Sequence, residues 1–419
     1  MKFIFVSNYI NHHQIPFCEA MRRRLGEDFC FIQTEPMAEE RVRMGWGVDL
    51  GRLPYVRVLY GEPEAVRRLE QEIQDCDIAL FGWTEREDLV QRRLSAGKPV
   101  IRESERLYRE GQWKALSPRG LIRKYRDHTR WRNAEAYLLC NGAYVASDFA
   151  IVHAYPGKMF RWGYFPALRT YTEEQLRARK GPVWRGEPGP LRLLWAGRFL
   201  ALKHPEFAVH YAAHLREQGI PFHLDMIGEG ELADALRTYV KQNGLDGDVT
   251  FRGFLPPGEV RGFMERADLF LFTSNHLEGW GAVLNEAMNS GCAVVAGSEA
   301  GAVPFLLRQN QNGLIFHGEN ERDFAAKADY LIAHPERIPA LGMEAYRTIE
   351  TTWNADCAAE RLVRFAGAVL EGVQGGGTVP ASGRTGGGFA VPEDGPMSPA
   401  PVLRPFMKVP EIQEPDCGT

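Results

Sequence analysis

Two glutamates eight positions apart, Glu278 and Glu286, enclose the stretch Gly279-Trp280-Gly281-Ala282. Carboxylates accept hydrogen bonds from hydroxyl groups and amides, and glycines let a ligand come close to the backbone. Upstream stand two cations, Arg198 and, five residues later, Lys203. A planar guanidinium grips oxygens bidentately and an ammonium acts as a point charge, so the two together can clamp a diphosphate. A third group lies near the start of the chain, where His12, His13 and Gln14 can donate hydrogen bonds and either histidine can move a proton. Each set has a plainer reading: a helix cap and a solvated helix residue, common loop cations, and a solvated loop with chance histidines.

The elements that must position these residues follow from patterning. Residues 268–272 are an apolar run short enough for a buried parallel strand, and 282–290 read as a helix stopped by Gly291. Glu278 then lies in the loop before a helix start, which attracts anions and polar oxygens, and Glu286 lies on the helix itself. Arg198 ends a strand at 191–196, and Lys203 precedes a helix at 205–218. Further strands are predicted at 222–227, 249–252, 292–296 and 313–316, with helices at 231–243 and 259–266. Gly228-Glu229-Gly230 reads only as a tight strand–helix turn.

The first half alternates in the same way. Strands are predicted at 2–6, 29–34, 55–60, 78–81 and 99–102, and helices at 16–25, 64–74 and 86–95. Repeated β-α units of this length imply doubly wound parallel sheets, with ligands at the carboxyl ends of the strands. No dinucleotide fingerprint follows the first strand, which disfavours a nicotinamide enzyme. Asp75-Cys76-Asp77 precedes an apolar strand rather than ending one, so it reads as a turn and not as a metal–diphosphate pair.

At 419 residues the chain is too long for one ordinary core, and its composition is that of a globular protein. The apolar run at 1–6 breaks at Ser7-Asn8, too soon for a secretory leader, and no stretch approaches a membrane span. Seven scattered cysteines without a C-x-x-C pair fit reduced thiols and argue against structural zinc. The net charge of −4 divides unevenly. Residues 1–170 hold 27 Lys+Arg against 22 Asp+Glu (+5), leaving 23 against 32 (−9). A basic first half suits an anionic acceptor or a membrane surface, although an arginine-rich solvated face carries the same count. The basic amphipathic stretch 118–132, with Leu121, Ile122, Tyr125 and Trp131 among its cations, is where membrane contact is expected.

Taken together, Gly197-Arg198…Lys203, Gly228-Glu229-Gly230 and Glu278-Gly279-Trp280-Gly281…Glu286, followed by Gly301-Ala302-Val303-Pro304 and Gly313-Leu314-Ile315-Phe316, resemble the family-4 retaining glycosyltransferases. The match is specific over about 190–320. Asn11-His12-His13-Gln14 and Trp162-Gly163-Tyr164-Phe165-Pro166 are similar to the bacterial polysaccharide-assembly members. The resemblance implies the GT-B fold, two Rossmann-like domains facing a cleft, and sugar transfer with retention from a nucleotide sugar to a saccharide or glycolipid, generally without a metal or other cofactor. It implies that Arg198 and Lys203 neutralise the departing diphosphate, that Glu278 holds donor-sugar hydroxyls, and that Glu286 binds the ribose. The amides of Gly279, Trp280, Gly281 and Ala282 would meet sugar and phosphate, and Phe254 and Leu255 would wall the base. The chain departs from many relatives at the acceptor side. The glycine pair after the first strand is replaced by Asn11-His12-His13-Gln14, and a histidine after strand 99–102 is replaced by Glu103-Ser104-Glu105-Arg106. His12, His13, Gln14 and Glu105 are therefore the acceptor-side candidates.

The domains expected are 1–170 for the acceptor, a linker at 171–190, 191–353 for the nucleotide sugar, a crossover helix at 354–374 and a disordered tail at 375–419. The tail holds 9 glycines and 8 prolines in 45 residues, above the range of folded segments. A cytoplasmic protein at the inner face of the membrane is expected, with no nucleic-acid partner. Two other classes use the same architecture: a nucleotide-sugar epimerase, and a non-catalytic nucleotide-sugar-binding protein.

Overall fold

A computed structural model describes residues 1–42, 47–374 and 390–403, in two compact units. Unit 1 takes Met1–Ala167 and the described residues from Trp353 on; unit 2 is Leu168–Thr352. Unit 1 runs β1 (Phe3–Ser7), α1 (Ile15–Leu25), β2 (Phe29–Gln33), α2 (Glu39–Arg41), β3 (Val56–Val58), α3 (Pro63–Asp75), β4 (Ile78–Phe81), α4 (Glu87–Ser95), β5 (Val100–Ser104), α5 (Pro118–Asp127), β6 (Ala136–Asn141), α6 (Val145–Ile151) and β7 (Met159–Trp162). Its strands form one parallel sheet in the order β3-β2-β1-β4-β5-β6-β7. Every residue of β1, β2, β4 and β6 is buried, as expected of strands covered on both faces.

Unit 2 runs α7 (Glu173–Arg179), β8 (Leu191–Ala196), α8 (Pro205–Glu217), β9 (Phe222–Ile227), α9 (Ala233–Gln242), β10 (Val249–Gly253), α10 (Pro257–Arg266), β11 (Leu269–Phe272), α11 (Ala282–Asn289), β12 (Ala293–Gly297), α12 (Val303–Leu306), β13 (Leu314–Phe316), α13 (Glu321–Ala333) and α14 (Arg337–Thr351). The sheet order is β10-β9-β8-β11-β12-β13, again parallel throughout. Leu193, Trp195, Leu224, Leu271 and Val295 carry its core. The last helix, α15 (Ala355–Gln374), returns to unit 1, packs on α1 and pairs its Asp356 with Arg23 and Arg24 at 2.8 and 3.0 Å.

Two expectations are corrected. Residues 171–190 are not a linker but part of unit 2. Thr172 and Gln175 form a reciprocal capping box that starts α7, and Leu176 and Trp184 are buried in the core. The buried Lys180 donates to the Met264 and Ala267 carbonyls at 2.9 and 2.6 Å, while the buried Asp268 accepts from the amides of Gly181 and Arg192. A few anchors outweigh the polar, glycine- and proline-rich composition around them. Residues 390–403, expected to be disordered, instead complete the exposed edge of the first sheet. Phe160 bridges Pro399, Arg161 exchanges backbone hydrogen bonds with Met397 and Ser398, and Met397 and Ser398 are buried. An edge strand has unpaired N–H and C=O groups to offer, and this segment takes them. The rest of the expected tail, 375–389 and 404–419, lies outside the described residues.

Candidate functional site

In unit 2 the chain steps outward from β8 through β9 to β10 and then returns to β11 on the other side of β8. The loops leaving the carboxyl ends of β8 and β11 therefore diverge, and that opening is where open α/β sheets bind ligands. Arg198 and Lys203 stand in the first loop and Glu278 in the second. The structure joins two of them: the Lys203 ammonium is ion-paired with the Glu278 carboxylate, both side chains being 15% exposed. Ser274 Oγ donates to the same carboxylate oxygen at 3.2 Å. The two loops are also tied beneath the pair. Trp195 Nε1 donates to Thr273 Oγ1 (2.9 Å), which donates to the Lys203 carbonyl (2.6 Å). Arg198 is exposed and its side chain has no partner among the described residues.

Gly228 and Gly230 do more than turn the chain after β9. A Cβ on Gly228, whose φ is +131°, would lie 1.9 Å from the Gly197 carbonyl oxygen, and one on Gly230 would lie 2.5 Å from that of Phe199. The loop after β9 thus packs backbone to backbone against the segment that carries Arg198. Gly228 N donates to the Gly253 carbonyl at 2.9 Å, which links the same loop to the end of β10, where exposed Phe254 and half-buried Leu255 follow.

Gly281 has φ +92°, and a Cβ there would come within 2.4 Å of the Phe272 ring. Its conformation turns the chain into α11, and the amides of Gly279 and Gly281 have no acceptor among the described residues. The loop is held from one side by Gly301 and Ala302, whose amides donate to the Glu278 and Trp280 carbonyls at 3.2 Å each. Trp280 is 1% exposed and its indole donates to Asn285 Oδ1 at 2.8 Å, so its side chain belongs to the core. Glu286, half-buried on α11, has its carboxyl pushed up by burial, with Arg261 and Arg169 pulling it back. Both arginines are fixed nearby: Arg261 Nη2 donates to Asn289 Oδ1 at 2.6 Å, and Arg169 pairs with Glu265 at 2.5 Å.

Unit 1 has its own diverging point, between β1 and β4. His12, His13 and Gln14 occupy the loop after β1, where Asn11 donates to Gln14 at 3.1 Å. His13 stacks on Tyr164 with centroids 5.9 Å apart, and Tyr164 donates to Glu105 at 2.9 Å. The structure thus brings together His13, Tyr164 and Glu105 from the ends of β1, β7 and β5. Burial lowers both histidines, His13 to about 3, so it is uncharged at neutral pH. Two neighbours, Glu103 and Trp83, were not among the candidates predicted from sequence. Glu103, at the end of β5, accepts from Asn141 at 2.5 Å, and burial raises its carboxyl to about 7. Trp83, just after β4, is 75% exposed. The signal for both was position, immediately after an apolar strand, and Asn141 lies on β6, a strand the sequence reading did not resolve.

The basic stretch 118–132 is divided. Helix α5 ends at Asp127, His128 is buried, and Trp131 is half-buried outside the helix. Leu121, Ile122 and Tyr125 stay exposed on α5 beside Arg119, Arg123 and Arg126. No helix among the described residues is long and apolar enough to cross a membrane. Among the described residues, His276, Glu299 and Glu319 of unit 2 could hold a metal ion, their ligand atoms lying within 4.8 Å of one another.

Residues 183–348 match the family model for glycosyl transferases group 1. Amylovoran biosynthesis glycosyltransferase AmsK of Erwinia amylovora is 29% identical over 181 residues, 42% of this chain and 44% of that protein. D-inositol 3-phosphate glycosyltransferase of Rhodococcus erythropolis is 28% identical over 171 residues, 39% and 38% of the two chains. The chain thus spans less than half the length of these curated relatives. The crystal structure of Anabaena Alr3699/HepE in complex with UDP superposes over 87% of this chain and 99% of that one, with a TM-score of 0.65 at 14% identity. With two parallel-sheet units in one chain, that likeness gives the fold as GT-B. The second unit is a group 1 glycosyl transferase domain.

Proposed function

We propose that the chain is a retaining glycosyltransferase that moves a sugar from a nucleotide-sugar donor to a saccharide or glycolipid acceptor in cell-surface polysaccharide assembly. The observation that carries this reading is the Lys203–Glu278 pair at the diverging point of the second sheet, with Arg198 exposed in the same loop as Lys203 and the Gly279 and Gly281 amides without an acceptor among the described residues. The bond that breaks joins the anomeric carbon to a phosphate oxygen, and the bond that forms joins that carbon to the acceptor oxygen on the same face. Charge grows on the leaving diphosphate, where Arg198, the start of α11 and Lys203, its ammonium turned from Glu278, stabilise it. The phosphate oxygen, lying on the face of attack, can take the hydroxyl proton. Glu278 holds donor-sugar hydroxyls and Glu286 the ribose. The name of AmsK, a glycosyltransferase of amylovoran biosynthesis, and the UDP bound to HepE accord with this reading.

Arg198→Ala and Glu286→Ala test it. Loss of one such contact removes on the order of 3 kcal/mol, about a hundredfold in rate. Unchanged donor binding and turnover in both variants would end the assignment. On the acceptor side, His13, Tyr164, Glu105 and Glu103 offer neutral and anionic hydrogen-bonding groups suited to hydroxyls. The apolar and cationic face of α5 supports peripheral contact with anionic lipid at the cytoplasmic face. The transfer step assigned to Arg198 and Lys203 uses no metal.

A further inference from the structure

Three loops leave the carboxyl end of the second sheet next to one another: after β11, after β12 and after β13. Each contributes one potential ligand, His276, Glu299 and Glu319 respectively. His276 Nδ1 lies 3.7 Å from Glu299 Oε2 and 3.7 Å from Glu319 Oε1. A tetrahedral ion with bonds of about 2.0–2.2 Å spaces its ligand atoms roughly 3.3–3.6 Å apart; the two histidine–carboxylate distances need a contraction of tenths of an ångström to reach that, and all three atoms lie within 4.8 Å of one another.

A second observation, independent of the clustering, points to a ligand. Glu299 is only 5% exposed, and its Oε2 is buried without a hydrogen-bond partner. An orphaned carboxylate oxygen in such a setting is costly unless a cation meets it. Its position is also fixed. A Cβ on Gly318 would overlap the Glu299 carboxyl carbon at 2.3 Å, so the side chain lies flat against that glycine. Glu319 is fixed too, since Asn275 Nδ2 donates to its Oε1 at 2.7 Å.

We propose that His276, Glu299 and Glu319 form a binding site for a divalent transition-metal ion that ties the three loops together. One imidazole and two carboxylates make a mixed nitrogen–oxygen set that suits Zn²⁺ or Mn²⁺, whereas Ca²⁺ and Mg²⁺ take oxygen alone. The loop that contributes His276 also carries Glu278, two residues on, so the ion braces that segment and takes no part in sugar transfer. The site does not depend on the transfer reading.

Calorimetric titration of the full chain, first freed of metal with a chelator, tests it with ZnCl2 and MnCl2. One ion per chain is expected, bound at least tenfold more weakly by Glu299→Gln and by the exposed-position variant Glu319→Gln. Binding should be unchanged in Glu336→Gln, which removes a carboxylate beside His334 on the surface. A thermal melt without metal checks that each variant is folded. Failure of the unaltered chain to bind either ion, or full-strength binding by both folded site variants, overturns the proposal.

Discussion

Gly228→Ala is the sharpest test of how the second unit shapes its cation loop. The new methyl group would sit 1.9 Å from the Gly197 carbonyl oxygen, at φ +131°. Carbon and oxygen need roughly 3.2 Å, so one backbone must retreat by about 1.3 Å. Neither has room to do so freely, because Gly197 N donates to the Ile227 carbonyl and Gly228 N to that of Gly253. Left-handed strain of about 1–2 kcal/mol adds to about 1–3 kcal/mol of overpacking. The sum, about 2–5 kcal/mol, should lower the melting midpoint by roughly 5–15 °C for a unit of this size. Arg198 moves with Gly197, and a misplacement of about 1 Å at a catalytic contact costs about a hundredfold in rate. Gly219→Ala is the control: its φ is +67° but nothing lies within 4 Å of the added carbon, so only the strain applies and turnover should hold. Melting curves and initial rates on both variants are needed. If Gly228→Ala melts and turns over like the unaltered chain, the backbone contact does not exist as described.

Glu103 gives a pH test. Burial raises its folded pKa from 4.5 to about 7, so the folded chain holds a proton that the unfolded chain has lost between those values. The stability from the neutral carboxyl is complete below about pH 4.5 and lost as pH rises to about 7. Glu103→Gln keeps the neutral form and should exceed the unaltered chain at pH 8 by about 1–2 kcal/mol, a figure reduced for partial solvation, and match it at pH 4.5. Urea midpoints at the two pH values measure this, and parallel pH profiles would refute it. For membrane contact, Ile122→Asp with Tyr125→Asp should abolish co-sedimentation with anionic vesicles at low salt. No retention of the unaltered chain would sink the idea.

Most strands were legible because parallel strands covered on both faces are unbroken apolar runs, but β6 and β7 were not among those predicted. The pattern at 268–272 and 282–290 differs from β11 and α11 by one residue at a boundary. Less legible was anything decided by partners distant in sequence. Leu176 and Trp184 are isolated apolar residues in a polar stretch, and only the packing of their segments against α10 and α14 reveals that they are core. The Trp280 indole stands among glycines and looks like a ligand contact until its partner Asn285 is seen one turn into α11. Glu103 needed Asn141 across the sheet, and the segment 390–403 needed an edge strand to lie on. Composition alone cannot register either.

The ion pair between Lys203 and Glu278 bears on selectivity among anions. Lys203, one of the site's two cations, is paired with Glu278, so a bare diphosphate must draw it away and strand a carboxylate that is largely shielded from water. That penalty is about 1–3 kcal/mol. A donor carrying a sugar escapes it, because hydroxyl groups arrive at Glu278 as the ammonium turns to phosphate. On the proposed function the empty site therefore favours the intact nucleotide sugar over the nucleotide that remains after transfer. Product inhibition is eased by a contact that involves no nucleotide at all.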